Sequence, residues 1–219
     1  MTEGCNLKCR HCWVAPKYQA SGNLSTVLDP DLFRSIIEQA IPLGLSGVKL
    51  TGGEPLLHLH IREILKVVRS EEIRLTVETN GTLCTPELAE AMKATSGNPF
   101  VSVSLDGADA KTHEWVRGVE GCFEAALEGV RNLVKAGFRP QIIMTVMRRN
   151  RAHMEPVVRL AEKLGAGSVK FNLVQPTARG EKIHEALESL AVDELVELGR
   201  WVENTLSKTT DIRLAYSHP

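Results

Sequence analysis

From residue 44 onward the chain repeats one unit: a short β-branched run, a polar or glycine-containing turn, then apolar residues at the spacing of an amphipathic helix. The runs fall at 48–50, 75–77, 101–105, 142–146 and 169–173. Helical patterns are predicted over 30–41, 60–70, 86–94, 152–164 and 193–206. A further helix follows from Phe123, Ala126, Leu127, Val130, Leu133 and Val134, with Gly137 as its stop. Asp29-Pro30, Thr85-Pro86 and Asp193 supply helix starts. Strands alternating with helices specify parallel βαβ units, and right-handed crossovers then curl the sheet toward a barrel. The segments LTGGEP, VETNG, SLDG and NLVQP each follow a strand, where an α/β barrel carries its active-site loops. They are predicted to meet at one mouth.

Composition narrows the function. A net charge of -1 gives no electrostatic footprint for nucleic acid or an anionic membrane surface, which leaves a peptide or small-molecule partner. The absence of a long apolar run or a signal-peptide pattern predicts a soluble, cytoplasmic protein. With no low-complexity stretch and no Pro/Gly-rich linker, residues 1–219 read as one domain.

Three of the five cysteines fall within eight residues, as Cys5, Cys9 and Cys12 in the spacing C-x3-C-x2-C. Such spacing suits metal or cluster ligation rather than a disulfide framework. Three thiolates can hold three irons of a cubane and leave the fourth iron open. A Cys3His zinc site through His11 is the rival, disfavoured because His11 adjoins Cys12 in sequence. Cys84 and Cys122 read as small buried hydrophobes. His58 and His60 lack a third ligand and read as capping or solvated groups, while Trp13 is either a shield over the cluster or a core aromatic.

CNLKCRHCW followed by TGGEP, with ETNG and SLDG at later strand ends, resembles the paired signature of the radical S-adenosylmethionine (SAM) superfamily over nearly the whole chain. The resemblance implies a partial (β/α)6 TIM-like barrel, a [4Fe-4S] cluster on Cys5, Cys9 and Cys12, and S-adenosyl-L-methionine on the open iron. It further implies reductive cleavage to a 5′-deoxyadenosyl radical that abstracts hydrogen from substrate, fed by an electron donor such as flavodoxin or ferredoxin.

The resemblance also assigns SAM contacts. Gly52, Gly53, Glu54 and Pro55 are expected at the methionine amino group, with the glycines clearing space for backbone to approach a ligand. Ser104 and Asp106, at period two, are expected to face ribose or the amino-acid portion. Arg117 is expected on the SAM carboxylate, with a surface salt bridge as the alternative. Asn80 is expected to face the cofactor pocket, and Val174 to pack the adenine or else the core.

Within the superfamily, SLDGADAKTHEWVRGVEGCFEAALEGVRNLVKAGFRP resembles the SPASM-type peptide and protein maturases, those of SynChlorMet-type cassettes in particular. Such enzymes carry a C-terminal domain with auxiliary clusters, and no cysteine follows Cys122 here, so this chain is expected to be a catalytic core clipped at both ends. A small-molecule radical enzyme, a structural zinc module and an iron-sulfur electron-transfer protein are the alternatives.

Overall fold

The computed structural model describes residues 1–19, 27–95 and 97–216. In chain order the elements are β1 (Gly4–Cys5), β2 (Lys17–Tyr18), α1 (Pro30–Ala40), β3 (Gly47–Leu50), α2 (Ile61–Ser70), β4 (Arg74–Thr79), α3 (Pro86–Lys93) and β5 (Phe100–Ser104). They continue as α4 (Ala110–Arg117), α5 (Cys122–Lys135), β6 (Gln141–Val146), α6 (Met154–Leu164), β7 (Ser168–Leu173), α7 (Arg179–Glu185), α8 (Val192–Asn204) and β8 (Arg213–Tyr216). Strands β3 to β8 form one sheet in sequence order, every adjacent pair parallel, and its two edges do not meet. The architecture is therefore an open, partial (β/α)6 barrel, as the motif order implied.

Local chemistry sets the helix ends. Asp29 Oδ1 accepts from the amides of Asp31 and Leu32, and Thr85 Oγ1 accepts from the Leu88 amide, capping α1 and α3 ahead of their prolines. The start of α8 differs from expectation: the Ala191 amide donates to Glu194 Oε2, so Glu194 rather than Asp193 closes that end. Two helices were not anticipated. One is α4, which begins where Asp109 Oδ1 accepts from the Thr112 amide and stops at Gly118, whose φ is +71. The other is α7.

Strand β1 is only two residues long and pairs with β2 outside the main sheet. Its neighbours instead lie along the loop after β3, where the Gly53 amide donates to Thr2 O and the Glu54 amide to Gly4 O. Strand β8 is the last of the sheet, and residues 217–219 after it lie outside the described residues.

The two faces of the sheet differ. Leu75, Val77, Val101, Val103, Ile142, Met144, Val169 and Phe171 are buried in one core with the helices. Burial of each large side chain there contributes about 1.5–3 kcal/mol. The alternate positions Thr76, Glu78, Ser102, Gln141, Thr145, Ser168, Lys170 and Asn172 point to the opposite, concave face. A parallel sheet covered by helices on both faces would carry near-continuous apolar runs. Here polar residues line a lumen, linked across strands by Gln141, whose amide donates to Ser168 Oγ at 3.2 Å.

Gly53 needs its bare backbone for the chain's own N-terminal segment, because a Cβ there would lie 1.9 Å from Gly4 O. Gly52, at φ +134, would bring a Cβ to 3.1 Å from Thr2 O. The glycines thus clear room for the protein's own backbone. Gly53→Ala should cost about 2–3 kcal/mol in urea unfolding, the range for overpacking against atoms that cannot turn away. Gly97→Ala, with nothing within 4 Å, should stay within about 0.5 kcal/mol of the parent.

Candidate functional site

The polar strand ends converge on a cavity of about 240 Å³ whose walls include Cys5, Cys9 and Cys12 together with Gly52, Gly53, Glu54, Asn80, Ser104 and Arg117. This volume lies just below the usual range for small-molecule sites. The cysteine loop is cradled by α4. The Lys8 amide donates to Arg117 O at 2.9 Å and the Arg10 amide to Val116 O at 2.8 Å. These carbonyls belong to the last turn of a helix, where no intrahelical donor remains for them.

Around this loop the polar residues act as clamps. The Glu54 carboxylate is buried and accepts from Thr79 Oγ1 at 2.6 Å, the Asn80 amide at 2.7 Å and the Leu56 amide at 3.0 Å, joining the ends of β3 and β4. Burial raises its pKa against the opposing pull of those donors. Asn80 Nδ2 donates to Asn6 Oδ1 at 2.8 Å, and Asn6 Nδ2 donates to Thr82 Oγ1 at 2.8 Å, fixing the loop from the β4 side.

The opposite side rests on a buried ion pair. Arg117 Nε lies 2.7 Å from Asp106 Oδ2, a charge contact whose angle does not make a hydrogen bond, and Nη1 donates to Cys9 Sγ at 3.5 Å. Asp106 is 0 % exposed, with the His11 ring at 3.1 Å and the Thr145 amide donating to Oδ1 at 2.8 Å. Burial alone would raise its pKa, but the charges of Arg117 and His11 reverse this and hold it well below the usual carboxylate range. Behind it, burial and the Arg117 charge push His113 down to about 4, so that ring is neutral at pH 7.

Several expectations are corrected by this arrangement. Asp106 is turned into the protein and is absent from the cavity wall, whereas Ser104 lines it, because β5 ends at Ser104 and strict alternation ends with it. Arg117 does reach the wall, but it is buried and holds Asp106 and Cys9, so it is not a surface salt bridge. Pro55 is buried as the first residue of a 3-10 turn and does not line the cavity. Val174 packs beside Val116, Met147 and Ile183, leaving Gln175 and Asn172 at the wall. Trp13 is 69 % exposed at the rim, which excludes a core role. His58 sits inside its own turn, its Nε2 donating to Leu28 O and its Nδ1 accepting from the His60 amide.

Cys122 is buried with Cys5, Leu7 and Cys9 behind the loop, in keeping with its reading as a small buried hydrophobe. Two residues escaped the sequence. Arg179 donates to Pro16 O at 2.7 Å and Cys9 O at 3.4 Å, tying α7 to the loop. Lys49 pairs with Glu78 at 2.6 Å along the concave face, where period-two alternation would have revealed it.

The donor set fits an iron-sulfur cluster. Burial pushes the Cys5 thiol up to about 12 and raises Cys9, against the opposing charge of Arg117. These groups therefore ionise only against a strongly positive partner, as metal ligation supplies. His11 is occupied by Asp106, and among the described residues no three of His, Cys, Asp and Glu gather around a point as ligands of a single ion do. A cubane places each thiolate on its own iron.

Comparison with known proteins agrees with this chemistry. The profile of the Radical SAM superfamily matches residues 1–161. An AdoMet-dependent heme synthase of Methanosarcina barkeri is 38% identical over 186 residues, covering 84% of this chain and 52% of that protein. The mycofactocin maturase MftC of Mycobacterium tuberculosis is 32% identical over 203 residues, covering 92% of this chain and 50% of that protein. The crystal structure of Streptococcus suis SuiB bound to S-adenosylmethionine superposes with a TM-score of 0.80 at 17% identity, over 99% of this chain and 48% of that one. The chain spans about half the length of the curated relatives it matches. Among the described residues no helix is long and apolar enough to cross a membrane.

The buried pair yields a test. Removing one partner leaves an uncompensated charge, so Arg117→Ala and Asp106→Ala should each cost about 3–5 kcal/mol in the iron-free protein. The apolar double variant Arg117→Met with Asp106→Leu should recover most of that loss in urea unfolding. Additive losses would show that the two charges do not depend on each other.

Proposed function

The chain belongs to the radical SAM superfamily, a family of enzymes using a [4Fe-4S] cluster and S-adenosylmethionine, and on that premise we propose that it abstracts hydrogen from a peptide undergoing maturation. The observation carrying the radical chemistry is the convergence of Cys5, Cys9 and Cys12 on one cavity wall with Gly52, Asn80 and Ser104. In this proposal the three thiols hold the cluster, and the backbone at Gly52 and Gly53 with Ser104 receives the amino-acid part of SAM. When bound, these groups supply one-electron cleavage of SAM to a 5′-deoxyadenosyl radical.

The residues of the chain position and protect. Glu54 and Asn80 fix the loop from one side and Arg117 from the other, which restricts where the thiols can stand before metal arrives. The Arg117 N–H on Cys9 Sγ withdraws charge from that sulfur, and hydrogen bonds to cluster sulfurs raise reduction potential. Trp13 stands exposed at the rim, where an entering substrate would meet it.

Peptide is favoured as substrate by the concave face. Glu78, Ser104, Thr145 and Gln175 put polar groups from four successive strand ends on the cavity wall, which suits the amides of an extended chain. Similarity to the mycofactocin maturase supports the same class. A porphyrin is the second substrate to consider, because of the 38% identity to the heme synthase, yet Ile143 alone among the inner residues of β6 and β7 offers it an apolar wall.

Anaerobic reconstitution should give about four irons per chain and, with reductant and SAM, release 5′-deoxyadenosine. Cys9→Ala should lose the iron, whereas Cys84→Ala, buried in the main core, should keep it. Stimulation of 5′-deoxyadenosine release by peptides encoded beside the gene would support the maturase assignment. Stimulation by an iron porphyrin and by no peptide would replace it.

A further inference from the structure

A second cavity, of about 450 Å³, opens behind the cysteine loop, on the far side from the strand-end cavity. Lys8, Arg10, Arg179 and Lys182 line it, with Glu188 as the one acidic residue among its described walls. The whole chain is close to neutral, at -1, so this is a local concentration of positive charge rather than a share of a basic protein. Trp115 forms its floor. The guanidinium of Arg149 sits 4.2 Å from the centre of that ring and that of Arg10 sits 4.8 Å from it, while Arg10 Nε donates to Trp115 O at 2.8 Å. Two arginines held on a tryptophan are preorganised, and Trp and Arg are the residue types that dominate protein interfaces.

Its location carries the argument. Lys8 and Arg10 flank Cys9, and Arg179 lines both cavities while donating to Cys9 O. One thickness of loop therefore separates this cationic surface from a proposed cluster ligand. Radical chemistry requires an electron from outside the protein, and the strand-end cavity is the place for substrate and SAM.

We propose that the Lys8, Arg10, Arg149 and Lys182 surface around Trp115 docks an acidic one-electron carrier protein, a proposal that rests on the radical enzyme assignment. One electron leaves the reduced carrier, which is oxidised by one equivalent, and enters the oxidised cluster through the Cys9 side of the loop. Opposite charges on the two surfaces steer the encounter, so its rate falls with ionic strength.

The test uses cluster-loaded protein with flavodoxin, an acidic carrier, reduced beforehand, and with dithionite as a small reductant that needs no docking surface. Arg149→Glu with Lys182→Glu changes two exposed side chains outside the cysteine loop. This variant should bleach the cluster absorbance about tenfold more slowly with flavodoxin, the low end of electrostatic steering effects, and should lose the salt dependence of the parent. Its rate with dithionite and its iron content should equal those of the parent. Lys182→Gln alone should fall between the two. An unchanged flavodoxin rate would overturn the proposal, as would equal slowing with both reductants. Unchanged reduction with weakened peptide binding would overturn it by giving the surface to substrate. A parent protein that binds iron and is bleached by dithionite, yet releases no 5′-deoxyadenosine, would sink the radical assignment and leave the docking result standing.

Discussion

The ion pair between Arg117 and Asp106 is the contact on which the site depends. It sits in a region from which water is excluded, so each charge is tolerable only because the other is present. Its members come from different elements, Asp106 from the turn after β5 and Arg117 from the last turn of α4. Their attraction sets where α4 ends relative to the sheet. The terminal carbonyls of α4 then receive the amides of Lys8 and Arg10, and through them the position of Cys9 is fixed. A charged pair costs more to bury than an apolar contact, but it specifies a single arrangement in which an N–H points at the Cys9 sulfur.

The sheet solves a different problem. Its outer face is apolar and packs all of the long helices, while its inner face keeps polar side chains in register across parallel strands. Among the described residues the edges at β3 and β8 do not pair with each other, so the sheet stays open along one side.

How much of this was legible in the sequence follows from how local each signal was. Cys5, Cys9 and Cys12 stood out because three thiols lie within one short loop, and strands β3 to β7 because each is a local β-branched run. The first strand did not, since its pairing is decided by the close approach of Thr2 and Gly4 to Gly52 and Gly53. The glycine pair was visible, but what occupies the space it clears was not. Asp106, Asn80 and Glu54 were recognisable as polar residues at strand ends, yet whether a carboxylate or amide faces a cavity or a neighbouring loop depends on partners far along the chain. His11, for example, meets Asp106 across 95 residues. Helix α4 had a readable cap at Asp109 and stop at Gly118, and its short length hid it between two stronger patterns.

The clamp at Arg179 gives the order of synthesis a part in metal loading. Cys9 is made early, but one of the side chains that holds its carbonyl follows 170 residues later, and the partners of Thr2 and Asn6 also come from later strand ends. A nascent chain therefore exposes three thiols well before it can orient them, and contacts of such long sequence separation form late in folding. Iron that met the chain at that stage would find a flexible peptide whose thiols no neighbour yet orients. The cysteine loop gains its contacts with Arg179 only when β7 and α7 have formed, so on the proposed assignment a bound cluster would report that the barrel has been assembled.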